Sequence, residues 1–426
     1  MRQERNNIFE NIDWVLVFLF ITLVGFGWLN IYAASKTEED VELLSFSTKY
    51  GKQLIFICCT IPLIIIILFF NSKFYEKYAS IFYIISIFCL LLLFPFGKEI
   101  NGAKSWFNFG VLGLQPSEFV KACTALAVAK LLSDRQYNLK LIKNQIKVFI
   151  IIFTPAVLIT LQPDAGSALI YLTFFFVLNR EGLTLSYMIW GSILIFLFIL
   201  TIFFGYFPVL LVLLALITIT VIYAIYKRGQ RFVRFNWHKI VMIYIITILF
   251  TFGTNIIYND VFKQHHRDRF EVLLGLKIDI KNIGYNSHQS ELTISSGGWT
   301  GKGFLKGDIT KGDFVPEQHT DYIFSTVGEE WGFLGSSLVI ILFMLMLYRI
   351  IYLSETHSNK FGRIYGYSVA SILFFHIIVN IGMVIGLLPT VGIPLPFFSY
   401  GGSSLWGFTV LLFIFIRFDA HKNYDW

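Results

Sequence analysis

Long apolar runs recur from one end of this chain to the other, and they restrict its fold more than any other feature. A helix needs about 20 residues to cross roughly 30 Å of hydrocarbon. Runs near that length lie at 13–34, 52–71, 78–96, 115–133, 147–162, 165–180, 187–204, 207–226, 239–259, 329–349, 364–388 and 403–418. An unpaired backbone has no partner in lipid, so these runs are expected to be helices. The sequence predicts an all-α polytopic membrane protein, a bundle of about 10–12 transmembrane helices forming a single integral membrane domain over 1–426.

Composition supports this class. Hydrophobic residues make up 56% of the chain and charged residues only 14%, whereas soluble domains average about a quarter charged. The four cysteines lie inside apolar runs without the spacing of a metal site or a disulfide framework.

Positive charge predicts the orientation of the chain. Basic residues gather in alternate loops: Arg2 and Arg5, Lys73 and Lys77, Arg135, Lys140 and Lys143, Lys227 to Arg234, Arg349, Lys360 and Arg363, and Arg417 and Lys422. The positive-inside bias places both termini in the cytoplasm and the loops at 35–50, 97–114, 163–165, 260–328 and 389–402 outside the cytoplasmic membrane. The net charge of +7 is attributed to this bias, so nucleic acid is not an expected partner. Membrane lipids are expected partners, because the basic amphipathic stretch 139–147 suits the membrane interface. An ordinary topogenic loop explains this stretch equally well.

Ionisable residues at the ends of apolar runs are candidates for function. Glu118 and Lys121 are three residues apart on one helical face, so they form either a structural ion pair or a pair that contacts a polar ligand. Asp164, in the turn at 162–167, either caps the next helix or faces an outer cavity as well.

The long loop 260–328 is studded with glycine and basic residues. It lacks the spacing of a phosphate-binding loop, because Gly301-Lys302 is followed by Gly303. Glycine-rich backbone with nearby cations still suits a pyrophosphate. A disordered linker is the alternative, and Trp299 and Phe304 argue against it.

Near its end the loop carries Pro316-Glu317-Gln318-His319-Thr320-Asp321, shortly before the apolar run at 329–349. A second irregular segment, 389–403, holds three prolines and three glycines between two apolar runs. Irregular backbone at membrane depth must be buried in protein or line a wet cavity. This segment is therefore expected to pack beneath the loop and form the floor of a site.

These blocks, in this order, resemble the SEDS family (shape, elongation, division and sporulation proteins), and its RodA branch more closely than its FtsW branch. The matching residues are 101–106, 115–121, 162–167, 289–290, 296–298, 301–303, 316–321 with 329–330, and 389–403. The chain departs from the family in an extra helix pair around 187–226, in Ser105 where an arginine is common, and at 308–310.

The resemblance implies a peptidoglycan glycosyltransferase that polymerises lipid II into glycan strands at the outer membrane face during cell elongation, with inversion. Asp321 is the implied catalytic residue, and it also suits a divalent cation, Mg²⁺ or Mn²⁺. The candidate substrate-binding residues are Glu118, Lys121, Lys104, Trp106, Asp164, Arg267, Arg269, Gln289, Lys302, Glu317, His319 and Ser399. The chain shows no transpeptidase signature, so the resemblance implies a class B penicillin-binding protein as partner, with other membrane proteins of the elongation complex. The alternatives are a division-specific FtsW-type polymerase, a lipid II flippase or transporter, and a scaffold.

Overall fold

A computed structural model describes residues 11–36, 48–100, 102–110, 112–228, 230–261, 264, 267–268, 271 and 285–421. The chain divides into two compact units, one built from Met1–Leu183 and Asn286–Trp426 and the other from Thr184–Tyr285. The prediction of one membrane domain over 1–426 stays a prediction, and the two units are described separately.

Helices dominate the described chain. In order, the elements are α1 Trp14–Ser35, α2 Lys49–Phe69, α3 Ser72–Phe96, β1 Lys98–Ile100, β2 Ala103–Phe109, β3 Leu112–Leu114, α4 Pro116–Ser133, α5 Ile142–Thr160, α6 Ala165–Leu169, a 3-10 turn Ile170–Thr173, α7 Phe174–Arg180, α8 Ser186–Phe204, α9 Tyr206–Arg228, α10 Gln230–Ile256, a π turn Ile257–Val261, α11 Tyr285–Ser296, α12 Asp308–Lys311, α13 Ile323–Glu355, α14 Lys360–Val384 and α15 Gly402–His421.

Ten helices in the described residues are long and apolar enough to cross a membrane. Each of the twelve predicted runs has a helical counterpart, because α4 and the shorter helical run Ala165–Arg180 account for the other two. The all-α membrane fold is therefore confirmed. Local sequence explains several helix starts: Asp13 accepts a hydrogen bond from Leu16 N at 2.9 Å, and Asn359 accepts one from Phe361 N at 2.9 Å, as N-cap residues do.

The first unit is a bundle centred on α14 and α15. These two helices are buried around most of their circumference. Their apolar residues accordingly lie on all faces of the helix and do not form a single stripe. Small residues allow close approach in such bundles. Gly407 of α15 lies against Glu118 of α4, and Gly27 of α1 lies against the backbone of Phe398.

A small antiparallel sheet, which the sequence analysis did not predict, forms between α3 and α4. Its strand order is β1-β2-β3. Lys98 pairs with Trp106, and Asn108 pairs with Gly113. The sheet orders most of the loop predicted at 97–114.

Helix α13 differs from its prediction. The apolar run was expected to start at 329, after a loop reaching 328, but the helix begins at Ile323. Its first turns hold the polar residues Ser325, Thr326 and Glu329, which lower the hydropathy of this stretch although all three are buried.

The second unit contains α8, α9 and α10, which pack against one another. The extra helix pair predicted around 187–226 corresponds to α8 and α9. Their surfaces expose many large apolar side chains, including Trp190, Leu211 and Ile222, as lipid-facing helices do.

Candidate active site

The loops predicted to share one side of the membrane meet at one end of the first unit. Gln318 Nε2 donates to Ala34 O at 2.9 Å, next to the end of α1. Gly401 N donates to Gln53 Oε1 in α2 at 3.0 Å, and Tyr400 N donates to His319 O at 2.9 Å. The end of the 260–328 loop and the 389–403 segment thus form one polar face, as the sequence predicted.

The glycine-rich segment 297–303 binds the start of α13. Lys302 N and Gly303 N donate to the carbonyls of Glu329 and Glu330, each at 3.0 Å. These N–H groups are consequently occupied within the protein, and the prediction that the glycine backbone cradles a pyrophosphate is not borne out at these two positions.

A break in α13 accounts for the glycines. Gly332 has φ 63° and ψ −159°, a conformation that is open to glycine and costly for other residues. The break frees two N–H groups, and Phe333 N and Leu334 N donate instead to Gly298 O at 2.9 Å and Trp299 O at 3.1 Å. Glycine at 301 is required because any side chain there would overlap the backbone of Glu330.

Lys302 anchors this segment. Its ammonium donates to Glu329 Oε1 at 2.8 Å and to Asp308 Oδ2 at 3.1 Å, and the bond to Glu329 raises the pKa of Lys302. Glu329 is fully buried and accepts from Ile309 N at 3.0 Å and Thr310 N at 2.8 Å. These contacts support a role for Lys302 in anchoring the loop, and its predicted contact with substrate stays a prediction.

Asp321 lies at the junction between the loop and α13. It is half-buried, and its carbonyl accepts from Asn380 Nδ2 at 2.8 Å. The same amide nitrogen donates to Ile393 O at 2.8 Å, so Asn380 joins Asp321 to the 389–403 segment. A methyl group on Gly392 would lie 3.4 Å from Asp321 Oδ2, which places the carboxylate against this segment, as expected for a site floor.

His319 lies beside Asp321 in the chain and contacts three elements. Its Nδ1 is 3.3 Å from Lys49 Nζ in the first turn of α2, and its ring centroid is 5.6 Å from that of Tyr400. Glu317 Oε2 lies 3.9 Å from its Nε2. Burial, followed by the charge of Lys49, lowers the pKa of His319. The ring is therefore neutral near neutral pH, with Nδ1 the nitrogen that accepts from Lys49.

The predicted ion pair between Glu118 and Lys121 is confirmed. The two charged atoms are 2.7 Å apart, and each side chain is 3% exposed. Lys121 Nζ also lies 3.2 Å from His376 Nε2 and 4.5 Å from the centre of the Phe408 ring. This cation is thus held from three sides beneath the polar face. The predicted contact of the pair with a polar ligand stays a prediction.

His376 and Asn380 are functional candidates that the sequence analysis missed. They lie one turn apart on α14, so they share a face. His376 Nδ1 is 3.2 Å from Pro394 O, and Asn380 bonds to Ile393 O and Asp321 O. Together they link the Glu118–Lys121 pair to Asp321 through the 389–403 segment. Two polar residues one turn apart inside an apolar run were the signal that could have found them.

Asp164 caps α6, as predicted. Its Oδ1 accepts from Ser167 N at 3.1 Å, and its Oδ2 accepts from Gln115 Nε2 at 3.0 Å. Gln115 N in turn donates to Ser403 Oγ at 3.1 Å. Asp164 is therefore part of the same polar face and ties α6 to α4 and α15.

Lys104 and Trp106 belong to β2, at the edge of this face. Lys104 Nζ donates to Phe94 O at the end of α3 at 2.7 Å, and Trp106 packs on Gly113 of β3. Both side chains hold the sheet to its surroundings. Their predicted contact with substrate stays a prediction.

Three other candidates have structural contacts. Glu317 accepts from Thr320 Oγ1 at 3.1 Å, and Ser399 Oγ accepts from Leu395 N at 2.8 Å inside the 389–403 turn. Gln289 is half-buried in α11, and its carbonyl accepts from Thr293 Oγ1 at 2.6 Å. Its neighbour Ser290 donates to Val384 O at the end of α14 at 2.7 Å.

For the two loop arginines, the predicted contact with substrate stays a prediction. Arg267 belongs to the second unit, where it lies in electrostatic range of Tyr258. Arg269 lies outside the described residues.

Metal binding at Asp321 depends on the donors around it. Within the described part of the chain, no group of three His, Cys, Asp or Glu residues converges on one point. Mg²⁺ commonly binds through one or two carboxylates and completes its shell with water and substrate phosphates. Asp321 fits that mode of binding, and a closed site made of protein ligands alone is not formed by these residues.

Comparison with known proteins places the chain in a family. The sequence model of the FtsW/RodA/SpoVE family, described as cell cycle protein, matches residues 13–236 and 212–424. The peptidoglycan glycosyltransferase RodA of Treponema pallidum is 28% identical, covering 97% of this chain and 98% of the relative. The peptidoglycan glycosyltransferase MrdB of Escherichia coli K12 is 30% identical, covering 93% and 90%. A solved structure from a study of polymerization and crosslinking by a peptidoglycan synthase complex aligns with a TM-score of 0.68 and 25% identity, covering 97% of this chain and 99% of its own. Because the family model and the relatives match nearly the whole length, the chain belongs to the FtsW/RodA/SpoVE family of multi-pass membrane proteins.

Proposed function

We propose that this protein is a peptidoglycan glycosyltransferase of the RodA type, which polymerises lipid II into glycan strands during cell elongation. The names of its full-length relatives support this activity. The observation that carries the chemistry is the position of Asp321, where the polar loop enters α13, against Gly392 and bonded through its carbonyl to Asn380. A carboxylate held at this boundary can serve a reaction on the sugar of a lipid-anchored substrate.

In the proposed reaction, Asp321 acts as general base. It takes the proton from the acceptor sugar hydroxyl, and the oxygen attacks the anomeric carbon of the donor. The bond from that carbon to the pyrophosphate oxygen breaks, and its electron pair leaves with the lipid pyrophosphate. A single displacement of this kind inverts the anomeric centre. General base catalysis typically contributes about 10²–10⁴-fold to a rate.

The leaving pyrophosphate needs positive charge. Lys121 is buried and paired with Glu118, and Lys302 is paired with Glu329. Lys49, beside His319, lies on the exposed part of the polar face and is better placed to meet a ligand from outside. A divalent cation bound by Asp321 and the substrate would supply further charge and lower the pKa of the attacking hydroxyl.

Charge placement favours an enzyme over a lipid II transporter. A transporter is expected to spread polar groups through the full membrane depth, because its substrate must cross it. Here no charged residue lies between Lys121 and Lys130 of α4, or between Glu330 and Arg349 of α13. Charged groups therefore cluster at the two ends of these helices and leave the middle apolar.

Orientation follows from the same two ends. Contacts such as Arg349 with Asp13 and Arg417 with Asn71 bring the start of α1 and the end of α15 to the end of the bundle that holds the basic loops, opposite the face that holds Asp321. By the positive-inside rule this end is cytoplasmic, and Asp321 faces the exterior of the cytoplasmic membrane. A class B penicillin-binding protein is the proposed partner. The structural likeness to a complex that coordinates polymerization with crosslinking supports it.

The experiment is polymerisation of labelled lipid II by the purified full-length protein and its Asp321→Asn and Asp321→Ala variants. Both variants should lose polymerisation while keeping the thermal unfolding profile of the parent, because neither alters an apolar span. Glu99→Gln is the control, since it removes an exposed carboxylate from β1. Wild-type activity in Asp321→Asn would remove this residue from the chemistry.

A further inference from the structure

A cavity of about 620 Å³ lies at the turn between α2 and α3, at the opposite end of the first unit from Asp321. Three of its lining residues are cations, Lys73, Lys77 and Arg417, and none is a carboxylate. The volume falls in the range of small-ligand sites, about 300–1,000 Å³.

Arg417 distinguishes this cavity from an ordinary basic loop. The residue is 3% exposed, and its guanidinium donates to Phe70 O at 2.9 Å and to Asn71 Oδ1 at 3.1 Å. Both acceptors are neutral. A buried charge without a charged partner is costly, so an anion from outside the described chain is expected here.

Three other buried or half-buried cations of the first unit each have a carboxylate partner. Lys121 pairs with Glu118, Arg349 with Asp13, and Arg363 with Glu181. Arg417, by contrast, has no carboxylate within 4.0 Å among the described residues. Arg417 therefore differs from these three cations in having only neutral hydrogen-bond partners.

The remaining walls are aromatic. The rings of Phe70 and Phe74 stack with centroids 4.4 Å apart, and Tyr78 lies 5.0 Å from Phe74. The exposed apolar face of α2, with Ile65 48% and Phe69 64% exposed, leads away from the cavity along the bundle. A ligand with an anionic head and apolar chains fits both parts, whereas a free phosphate fits only the first.

We propose that this cavity binds the headgroup phosphate of an anionic phospholipid, with Lys73, Lys77 and Arg417 around the phosphate and the acyl chains along α2. On the proposed orientation the lipid belongs to the cytoplasmic leaflet. Basic pockets between membrane helices on that side suit anionic headgroups. The site is distinct from the polymerisation site and does not depend on its chemistry.

The test is a titration of the full-length protein in detergent with phosphatidylglycerol and with phosphatidylcholine of the same acyl chains, followed by native mass spectrometry. Phosphatidylglycerol should bind at least about tenfold more tightly. Lys73→Gln with Lys77→Gln should weaken its binding about thirtyfold, which corresponds to two lysines near an anionic headgroup. Both lysines are exposed, so this variant is expected to fold.

The matched control is Lys306→Gln with Lys311→Gln, which removes the same charge from two exposed lysines of the 260–328 loop, at the opposite end of the first unit, and should change binding less than twofold. An equal loss in the control, or equal binding of phosphatidylcholine, would overturn the proposal. So would inorganic phosphate binding as tightly as the lipid. Lipid binding that appears only after removal of residues 422–426 would identify the chain's own C-terminal segment as the occupant and overturn it as well.

Discussion

Replacing Glu118 by glutamine keeps the shape of the side chain and removes the charge that faces Lys121. Both side chains are 3% exposed and their charged atoms are 2.7 Å apart. Removing one partner of a buried pair typically costs about 3–5 kcal/mol, because the other charge is left uncompensated. The contacts of Lys121 with His376 and Phe408 already exist in the parent protein, so they add no new compensation. Glu118→Gln is therefore expected to destabilise the bundle by about 3–5 kcal/mol.

The exchange variant, Glu118→Lys with Lys121→Glu, tests whether the pair is symmetric. A purely structural pair would recover fully. Here a carboxylate at position 121 would face the Phe408 ring, whose π face is negative, and the favourable cation–ring contact would be lost. That contact is worth up to about 2 kcal/mol when desolvated, so the exchange should recover only part of the stability.

Thermal unfolding of the purified protein in detergent measures these effects, and lipid II polymerisation is measured on the same samples. The control is Glu355→Gln, which breaks the pair with Arg180, whose side chains are 47% and 49% exposed. Exposed pairs contribute about 0–1 kcal/mol, so the control should unfold near the parent temperature. Unchanged unfolding of Glu118→Gln would refute the reasoning. Full recovery of folding and polymerisation in the exchange variant would show that the pair has only a structural role and that its two charges are interchangeable.

Three further predictions concern the polar face and the partner. Lys49→Gln removes a positive charge beside His319, whose ring also faces Tyr400, Glu317 and Asp313, and should therefore raise the pKa of His319. If polymerisation needs the neutral ring, the acidic limb of its pH profile should move to higher pH in this variant and stay in place in the control Lys36→Gln. An unmoved limb in Lys49→Gln would contradict the prediction. Gly332→Ala should lower the unfolding temperature, since strain alone costs about 1–3 kcal/mol at such a backbone conformation, whereas Gly25→Ala, where an added methyl group meets open space, should not. Polymerisation should persist in the presence of β-lactams, and acylation of this purified chain by a labelled penicillin would refute the division of labour with a separate transpeptidase.

Patterns that depend on neighbouring residues in the sequence could be predicted. Every apolar run became helical, the Glu118–Lys121 pair formed at its i, i+3 spacing, and Asp164 caps the helix that follows it. Each of these depends on local geometry, which sequence spacing determines.

Features that depend on tertiary contact could not be predicted. The N–H groups of Lys302 and Gly303 looked available for a pyrophosphate, but they bind carbonyls of α13 nearly thirty residues away. His376 and Asn380 read as isolated polar residues in an apolar run, because their partners Pro394 and Ile393 belong to a different segment. The start of α13 was missed because its first turns are polar, and their burial depends on the loop that covers them.

The irregular 389–403 segment explains why so many polar side chains lie within one end of an apolar bundle. Its backbone cannot satisfy itself as a helix would, and unpaired groups at membrane depth are costly. Gln53, His376 and Asn380 supply the missing partners from two neighbouring helices. Asn380 also holds the carbonyl of Asp321, so the side chains that stabilise the segment also position the proposed base. Variants in these supporting residues should therefore lose stability and polymerisation together, whereas variants of Asp321 itself should lose polymerisation alone. Measuring both quantities on each variant separates the residue proposed to perform the reaction from those that hold it in place.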